Sequence, residues 1–211
     1  MSWNPPTLCL VDLLLASASP ARRATLRAAG IEPAVAVSAV DEPAVLAAAG
    51  PVPPTEAVLL LARAKARDVA AGHPESLVLG CDSMLELDGE VLGKPADAAD
   101  AVARWRAMRG RAAVLHSGHW LIDGRSGTEV GDTSSTIVHF AAITDAEIDA
   151  YVATGEPLHV AGAFTIDGLG GPFISRIEGD HHGVVGLSLP LLRDLLGRVG
   201  LSITDLWNRD R

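Results

Sequence analysis

An acid and a lysine twelve positions apart, Asp82 and Lys94, are the residues of this chain best suited to do chemistry. The apolar run Leu77-Val78-Leu79 leads to Asp82, Asp88-Gly89 is a hairpin signal, and Gly93-Lys94-Pro95 closes the return. The two arms of a short ribbon would then carry one carboxylate and one ammonium. Phosphoryl chemistry asks for that pair: an acid to hold a metal or activate water, and a cation to take up phosphate charge. A carboxylate at the end of a buried strand is costly unless it is used or hydrogen-bonded, so a catalytic acid and a satisfied turn acid both stay open.

Other groups gain meaning only beside that pair. Ser17-Ala18-Ser19-Pro20-Ala21-Arg22-Arg23 lies where a strand passes into a helix. Free N–H groups and the dipole at such a junction attract anions, and Ser17, Ser19 and Arg22 would complete a phosphate cradle; an ordinary cap with solvated arginines fits as well. Asp41-Glu42 offers two adjacent carboxylates for Mg2+ or Mn2+, or an exposed acidic turn. Lys65 sits in a very apolar helix, a position that favours snorkelling to water. Arg109-Gly110-Arg111 ends a helix, where cations suit the dipole; a phosphate or base contact is the sharper alternative. His181-His182 lacks partners at zinc-ligand spacing. Glycines around Ile166-Asp167 would let backbone approach a flat ligand, or simply fold tightly. Neither G-x-x-x-x-G-K-[ST] nor G-x-G-x-x-G occurs, which removes the main support for kinase-like and dinucleotide-binding readings.

The elements that must position these groups follow from caps, breakers and periodicity. Leu8 to Ala16 reads as a buried strand, and Ser19-Pro20 opens a helix to Ala29 that Gly30 ends. A short strand covers Val35 to Ser38, and Gly50 to Pro54 is a loop. Thr55 caps a helix to Ala71, stopped by Gly72. After the ribbon come a helix over Asp97 to Met108 and paired strands over Ala112 to Ile122 and Glu129 to Ala142. Thr144 opens a helix to Ala153, Phe173 to Ile177 is a strand, and Pro190 to Val199 is the terminal helix. This alternation predicts one α/β domain over 1–211, with a mixed, twisted β-sheet flanked by helices.

Composition narrows the classes. The 211 residues are 48% hydrophobic and 20% charged, which supports a sizeable core and argues against general disorder. A net charge of −9 without a basic tract disfavours nucleic acid and anionic membranes as partners. Aromatics at 4% are too sparse for a single-strand stacking platform. Cys9 and Cys81 suit reduced cytoplasmic thiols, buried as small hydrophobes. Leu8 to Ala18 mimics an export signal, but no Lys or Arg precedes Arg22 and Asp12 interrupts the run.

In their order along the chain these motifs resemble the Maf family of nucleoside triphosphate pyrophosphatases. The resemblance is carried by Leu15-Ala16-Ser17-Ala18-Ser19-Pro20 with Arg22, Val40-Asp41-Glu42, Lys65-Ala66, Gly80-Cys81-Asp82-Ser83 and Asp88-Gly89-Glu90 with Leu92-Gly93-Lys94-Pro95. Gly110-Arg111, Tyr151 with Gly155-Glu156-Pro157, Ala161-Gly162 with Phe164, and Gly168-Leu169-Gly170-Gly171 with Phe173-Ile174 continue the series, and Val184-Val185-Gly186-Leu187 closes it. It implies a cytoplasmic α/β fold with two lobes around a central cleft, dimeric in many members. It implies metal-dependent cleavage of a nucleoside triphosphate to monophosphate and pyrophosphate, acting on modified or certain pyrimidine nucleotides and linked to nucleotide-pool cleaning and cell-division arrest. By matched position, Ser17, Ser19 and Arg22 would hold phosphate, Glu42 would ligate Mg2+ or Mn2+, and Lys65 and Lys94 would neutralise the triphosphate. Asp82 would be the catalytic carboxylate and a metal ligand, and Arg111 and Asp167 would serve substrate binding.

The chain departs from the family pattern at Ala21, where an arginine is common, at Ala112-Ala113, His159-Val160 and Phe164, and at Asp167, where glutamine is common. An ionised Asp167 only accepts hydrogen bonds and so points to a donor-rich base edge of guanine type. Two other readings stay open. One is a nucleotide-binding regulator without catalysis; the other is a phosphohydrolase that releases orthophosphate.

Overall fold

The computed structural model describes residues 12–208; the Leu8 to Val11 part of the expected first strand, with Cys9, lies outside them. Ser19 caps the first helix as its Ser-Pro signature foretells, accepting from Arg22 N, with Pro20 in the first turn and Gly30 (φ 84°) just past the end. Strand β1 (Leu13–Ala16) therefore feeds helix α1 (Pro20–Ala28) within four residues. The expected strand at Val35 to Ser38 shrinks to β2 (Ala34–Val35), paired parallel to β1.

Asp41-Glu42-Pro43 is the start of helix α2 (Glu42–Ala49), which the sequence pattern leaves unassigned. Asp41 is its N-cap, accepting from Ala44 N at 3.0 Å. This helix buries no residue, so it shows no apolar stripe to read. Helix α3 (Pro54–Ala71) starts at Pro54, with Pro53 at the cap position and no side-chain cap; the expected capping by Thr55 is not found. Pro54 satisfies the first turn by lacking an N–H to orphan.

Strand β3 (Leu77–Leu87) is much longer than the expected apolar run and carries Asp82 mid-strand instead of at its end. Asp88 (φ 54°) and Gly89 (φ 85°) make the two-residue turn into β4 (Glu90–Leu92), both in the left-handed region that a hairpin of this length requires. Helix α4 (Ala98–Met108) is capped by Asp97. Strands β5 (Ala112–Asp123) and β6 (Thr128–Phe140) pair along their whole length. Helix α5 (Asp145–Ala153) opens with a capping box between Thr144 and Glu147. The glycine-rich stretch after it forms short 3-10 turns, then β7 (Ile174–Glu178) follows. The short helix α6 (His181–Val185) and helix α7 (Leu189–Arg198), capped by Ser188, complete the main elements.

These strands form one seven-stranded mixed sheet, ordered β2-β1-β3-β5-β6-β7, with β4 on β3. Side chains alternate across β3, so one face of the strand contributes in turn to two cores. Leu79 and Cys81 pack with Leu15, Leu26, Leu121, Leu192 and Leu195 under α1 and α7. Leu85 and Leu87 pack with Trp105, Leu115, Phe140, Tyr151 and Phe164 under α4 and α5. Trp105 anchors that second core, edge-on to Phe140 and Tyr151 at 5.5 and 5.4 Å, with its Nε1 donating to Ala163 O. On the opposite face Val78 and Ile122 pack with Ala66 and Val69 of α3. Ser83 and Ser117 mark the change-over between the two cores, their hydroxyls 2.8 Å apart. Among the described residues no helix is long and apolar enough to cross a membrane.

Candidate active site

The sheet itself leaves a gap. Strand β3 pairs with β1 over Leu77 to Gly80 and with β4 over Leu85 to Leu87. Among the described residues, 81–84 have a strand partner only on the β5 side. The unpaired edge is flanked by the Ser17–Ser19 loop, leaving β1, and by Gly93-Lys94, leaving β4. A crevice at the carboxyl end of a strand, opening toward a helix N-terminus, is where α/β folds place ligands.

Asp82 lies in this segment, 8% exposed, and Lys65 of α3 is 9% exposed, so neither is a solvated surface charge. Lys65 Nζ donates to Asp82 Oδ1 at 2.6 Å and lies 2.7 Å from Glu42 Oε1. Lys65 therefore does not snorkel; it bridges two carboxylates from two other elements. The reason it reaches is glycine. A Cβ on Gly80 would stand 2.1 Å from Ala62 O, and one on Gly118 would stand 2.4 Å from Val58 O. Gly118 is also the cross-strand partner of Asp82. Two missing side chains thus let α3 settle on the sheet at the level of the acid. Burial pushes the Asp82 carboxyl above its ordinary value, while the Lys65 and Arg22 charges pull it back and Glu42 adds to the push.

Behind Asp82 stands Arg22. Its Nε donates to Gly186 O at 2.9 Å, its Nη1 to Cys81 O at 2.9 Å and Ser17 Oγ at 3.1 Å, and its Nη2 to Ser83 Oγ at 3.2 Å. Ser17 Oγ also accepts from Ser19 N, and Ser19 Oγ from Arg22 N. Both serine hydroxyls thus spend acceptor capacity on the loop and retain a proton to donate. Arg23 points elsewhere, pairing with Glu32 on the exposed side of α1, so it does not replace the arginine absent at Ala21.

Lys94 is exposed, and its side chain makes no hydrogen bond or ion pair among the described residues. It is not the partner of Asp82, because Leu92, the last residue of β4, already pairs with Leu85. Arg111 binds the Asp88 carboxylate and Ala107 O at the hairpin end of the sheet. It precedes Gly118 by seven residues, about 20 Å of extended strand from the level of Asp82. Asp167 is exposed on a loop that Glu156 ties down, accepting from Tyr151 Oη, Thr165 Oγ1, Leu169 N and Gly170 N. The structure therefore joins Asp82, Lys65 and Glu42 in one ion-paired cluster, ties Arg22, and through it Ser17, to the residues on either side of Asp82, and holds Arg111 and Asp167 outside both groups.

Several participants escape sequence reasoning. Gly80 and Gly118 carried a readable signal, since isolated glycines inside strands mark close backbone approach. Ser117, which donates to Gly183 O at 2.8 Å, carried none. Nor did the buried His116, held between Glu86 at 3.0 Å and Ser135 at 2.8 Å. His116, Glu86 and Ser135 share the Asp82 face of the sheet by strand alternation, whereas Ser117 lies on the other face beside Ser83. Cys81 is buried and its thiol is pushed up to about 11, which makes it inert packing. His182 lies 3.3 Å from Asp180 Oδ1, the acid that caps α6.

Among the described residues no group of three or more His, Cys, Asp or Glu side chains is gathered to cage a metal. The two carboxylates that meet at Lys65, Asp82 and Glu42, are hard oxygen donors on separate elements. That set suits Mg2+ or Mn2+, which is commonly held by one or two carboxylates together with water and substrate phosphates.

A family model described as Maf-like protein matches residues 12–199. The chain belongs to the Maf family. It is 60% identical over 202 residues to a nucleoside triphosphate pyrophosphatase of Salinispora tropica, covering 93% of this chain and 88% of that one. It is 60% identical over 198 residues to the protein of that name from Streptomyces coelicolor, covering 92% and 94%. Against the one from Leifsonia xyli subsp. xyli it is 59% identical over 208 residues, covering 93% and 97%.

Proposed function

We propose that this chain is a nucleoside triphosphate pyrophosphatase, which splits the α–β phosphoanhydride with water to give a nucleoside monophosphate and pyrophosphate. The observation that carries the reading is the buried Asp82–Lys65–Glu42 cluster beside an unpaired strand edge. The full-length similarity to proteins of that name supports it. The unpaired edge of β3 is flanked by the N-terminus of α1 on one side and by the exposed Lys94 on the other, an arrangement suited to a polyanion.

In this reading Asp82 orients the attacking water and takes its proton; an acid whose pKa lies above the ordinary range is a better base for that purpose. Lys65 holds the carboxylate in place, and with Lys94 it balances the charge that builds on phosphoryl oxygens. Ser17, Ser19 and the N-terminus of α1 hold the departing pyrophosphate. Asp82 and Glu42 would hold Mg2+ or Mn2+, which supplies Lewis acidity and charge neutralisation at the phosphates. Asp167 reads a donor-rich base edge from its loop, and Arg111 reaches substrate only from the hairpin end. The natural place for such an enzyme is the cytoplasm, where free nucleotides are.

A product assay tests this. Wild-type protein with Mg2+ or Mn2+ is expected to release pyrophosphate from members of a panel of standard and modified nucleoside triphosphates. Asp82→Asn should abolish turnover while the protein stays folded, because a carboxyl with a raised pKa disfavours the ionised folded state at neutral pH. Asp167→Asn should reorder the bases. Orthophosphate as product, or full activity in Asp82→Asn, would overturn the assignment. An unchanged base order in Asp167→Asn would remove that residue from it.

A further inference from the structure

We infer that Arg22, beyond the pyrophosphatase reading and resting on it, is a positioning residue that sets Asp82 and does not serve as the phosphate-binding cation of the first helix. A guanidinium has five N–H donors. In Arg22 four are taken: one by Gly186 O, two by Cys81 O and Ser17 Oγ, and one by Ser83 Oγ. Two of those acceptors, Cys81 O and Ser83 Oγ, belong to the residues on either side of Asp82 in the chain. They lie on the stretch of β3 that, among the described residues, has no strand partner on its β1 side. Arg22 thus stands in for the missing strand, holding the backbone before the acid and the side chain after it.

The remaining acceptors extend the same bracket. Ser17 Oγ ties Asp82's strand to the loop between β1 and α1, and Gly186 O ties it to the turn after α6. Ser83 passes the restraint on through Ser117 to Gly183 O. Gly186 sits at φ 117°, a backbone conformation that residues with a Cβ rarely adopt, so the turn that presents this carbonyl depends on glycine. A phosphate taken up by Arg22 through more than one N–H would have to break one of these bonds. With Ala21 and Arg23 unavailable, cationic charge on the triphosphate then comes from Lys94 and Lys65, and the Ser17–Ser19 loop contributes hydroxyls and backbone N–H groups.

The two roles separate in steady-state kinetics and product binding. Arg22→Lys keeps the charge but has three donors on one atom and cannot span four acceptors. It is expected to lower kcat about 10- to 100-fold by loosening the acid, since small misplacements of reacting groups cost that much. The inhibition constant of inorganic pyrophosphate should stay within about twofold, well below the tenfold that a lost charged contact of about 1.4 kcal/mol represents. Ser83→Ala, which removes the bonds of that hydroxyl to Arg22 and Ser117 but leaves Arg22 its other three acceptors, should give a smaller drop in kcat with the same unchanged pyrophosphate constant. Pyrophosphate binding weakened about tenfold or more in Arg22→Lys would overturn the inference, and so would an undiminished kcat. A wild-type protein that releases no pyrophosphate would instead sink the pyrophosphatase reading itself and any part of Arg22 in turnover with it.

Discussion

Glu42 shows how much a single side chain's role depends on its exposure. Its carboxylate meets Lys65 at 2.7 Å, yet its side chain is 48% exposed, against 11% for Lys65 and for Asp82. A half-exposed ion pair contributes little, within about 1 kcal/mol. Glu42→Gln is therefore expected to leave the melting temperature nearly unchanged, while turnover falls about tenfold or more and more Mn2+ is needed for half-maximal rate. A calorimetric scan beside a metal titration checks this; a large loss of stability with normal turnover would make Glu42 a structural partner only. Asp82 stood out in the sequence because of its apolar approach, and Lys94 because of its Gly-Lys-Pro corner. Neither feature told that the ammonium at Asp82 belongs to Lys65, since that bond joins residues 17 apart on a helix and a strand.

At the scale of elements, α3 is the part whose seating matters most. Its closeness to the sheet rests on Gly80 and Gly118, where a methyl group would meet backbone atoms and not a yielding side chain. Gly118→Ala should thus lift α3 and withdraw Lys65 from Asp82. Overpacking of this kind costs about 1–3 kcal/mol, and a far larger proportional loss of activity should accompany it. Denaturant unfolding and kcat measured on the same preparation decide the matter; a stable variant with full turnover would refute the seating argument. Helix starts were legible where a side chain caps them, as at Ser19, Asp97 and Thr144. The hairpin at Asp88-Gly89 was legible for the same reason, since both rest on contacts within a few residues. Helix α2 was not, because a helix without a buried face leaves no periodicity.

For the molecule as a whole, the join between its parts carries a pH signature. His119 is buried, its Nδ1–H donating to Ser117 O at 3.0 Å and its Nε2 accepting from Ser188 N at 2.8 Å. It thereby fastens the approach to α7 onto β5 in the neutral form, and burial lowers its pKa to about 4. A base whose folded pKa is depressed below its unfolded value, about 6.5, binds more protons when unfolded. Its contribution is fully present above about pH 6.5 and is lost as pH falls toward 4, by about 3 kcal/mol in total. Urea unfolding across that window should show the decline, and His119→Gln should flatten it. An equal slope in both proteins would assign the acid sensitivity to other groups.

The sequence by itself determined the order of motifs that marks the family, the alternation of elements that makes an α/β sheet, and the caps and turn that bound them. Each of these depends on neighbours along the chain. Only the tertiary structure decided which charges meet. Lys65 turned inward because two glycines on different strands opened room for its helix. Arg22 reached Cys81 and Gly186, 59 and 164 positions away, because the sheet leaves one strand edge unpaired and its carbonyl needs a donor. Buried backbone and buried charge must be satisfied by whatever the fold brings near, and that requirement has no local signature in sequence.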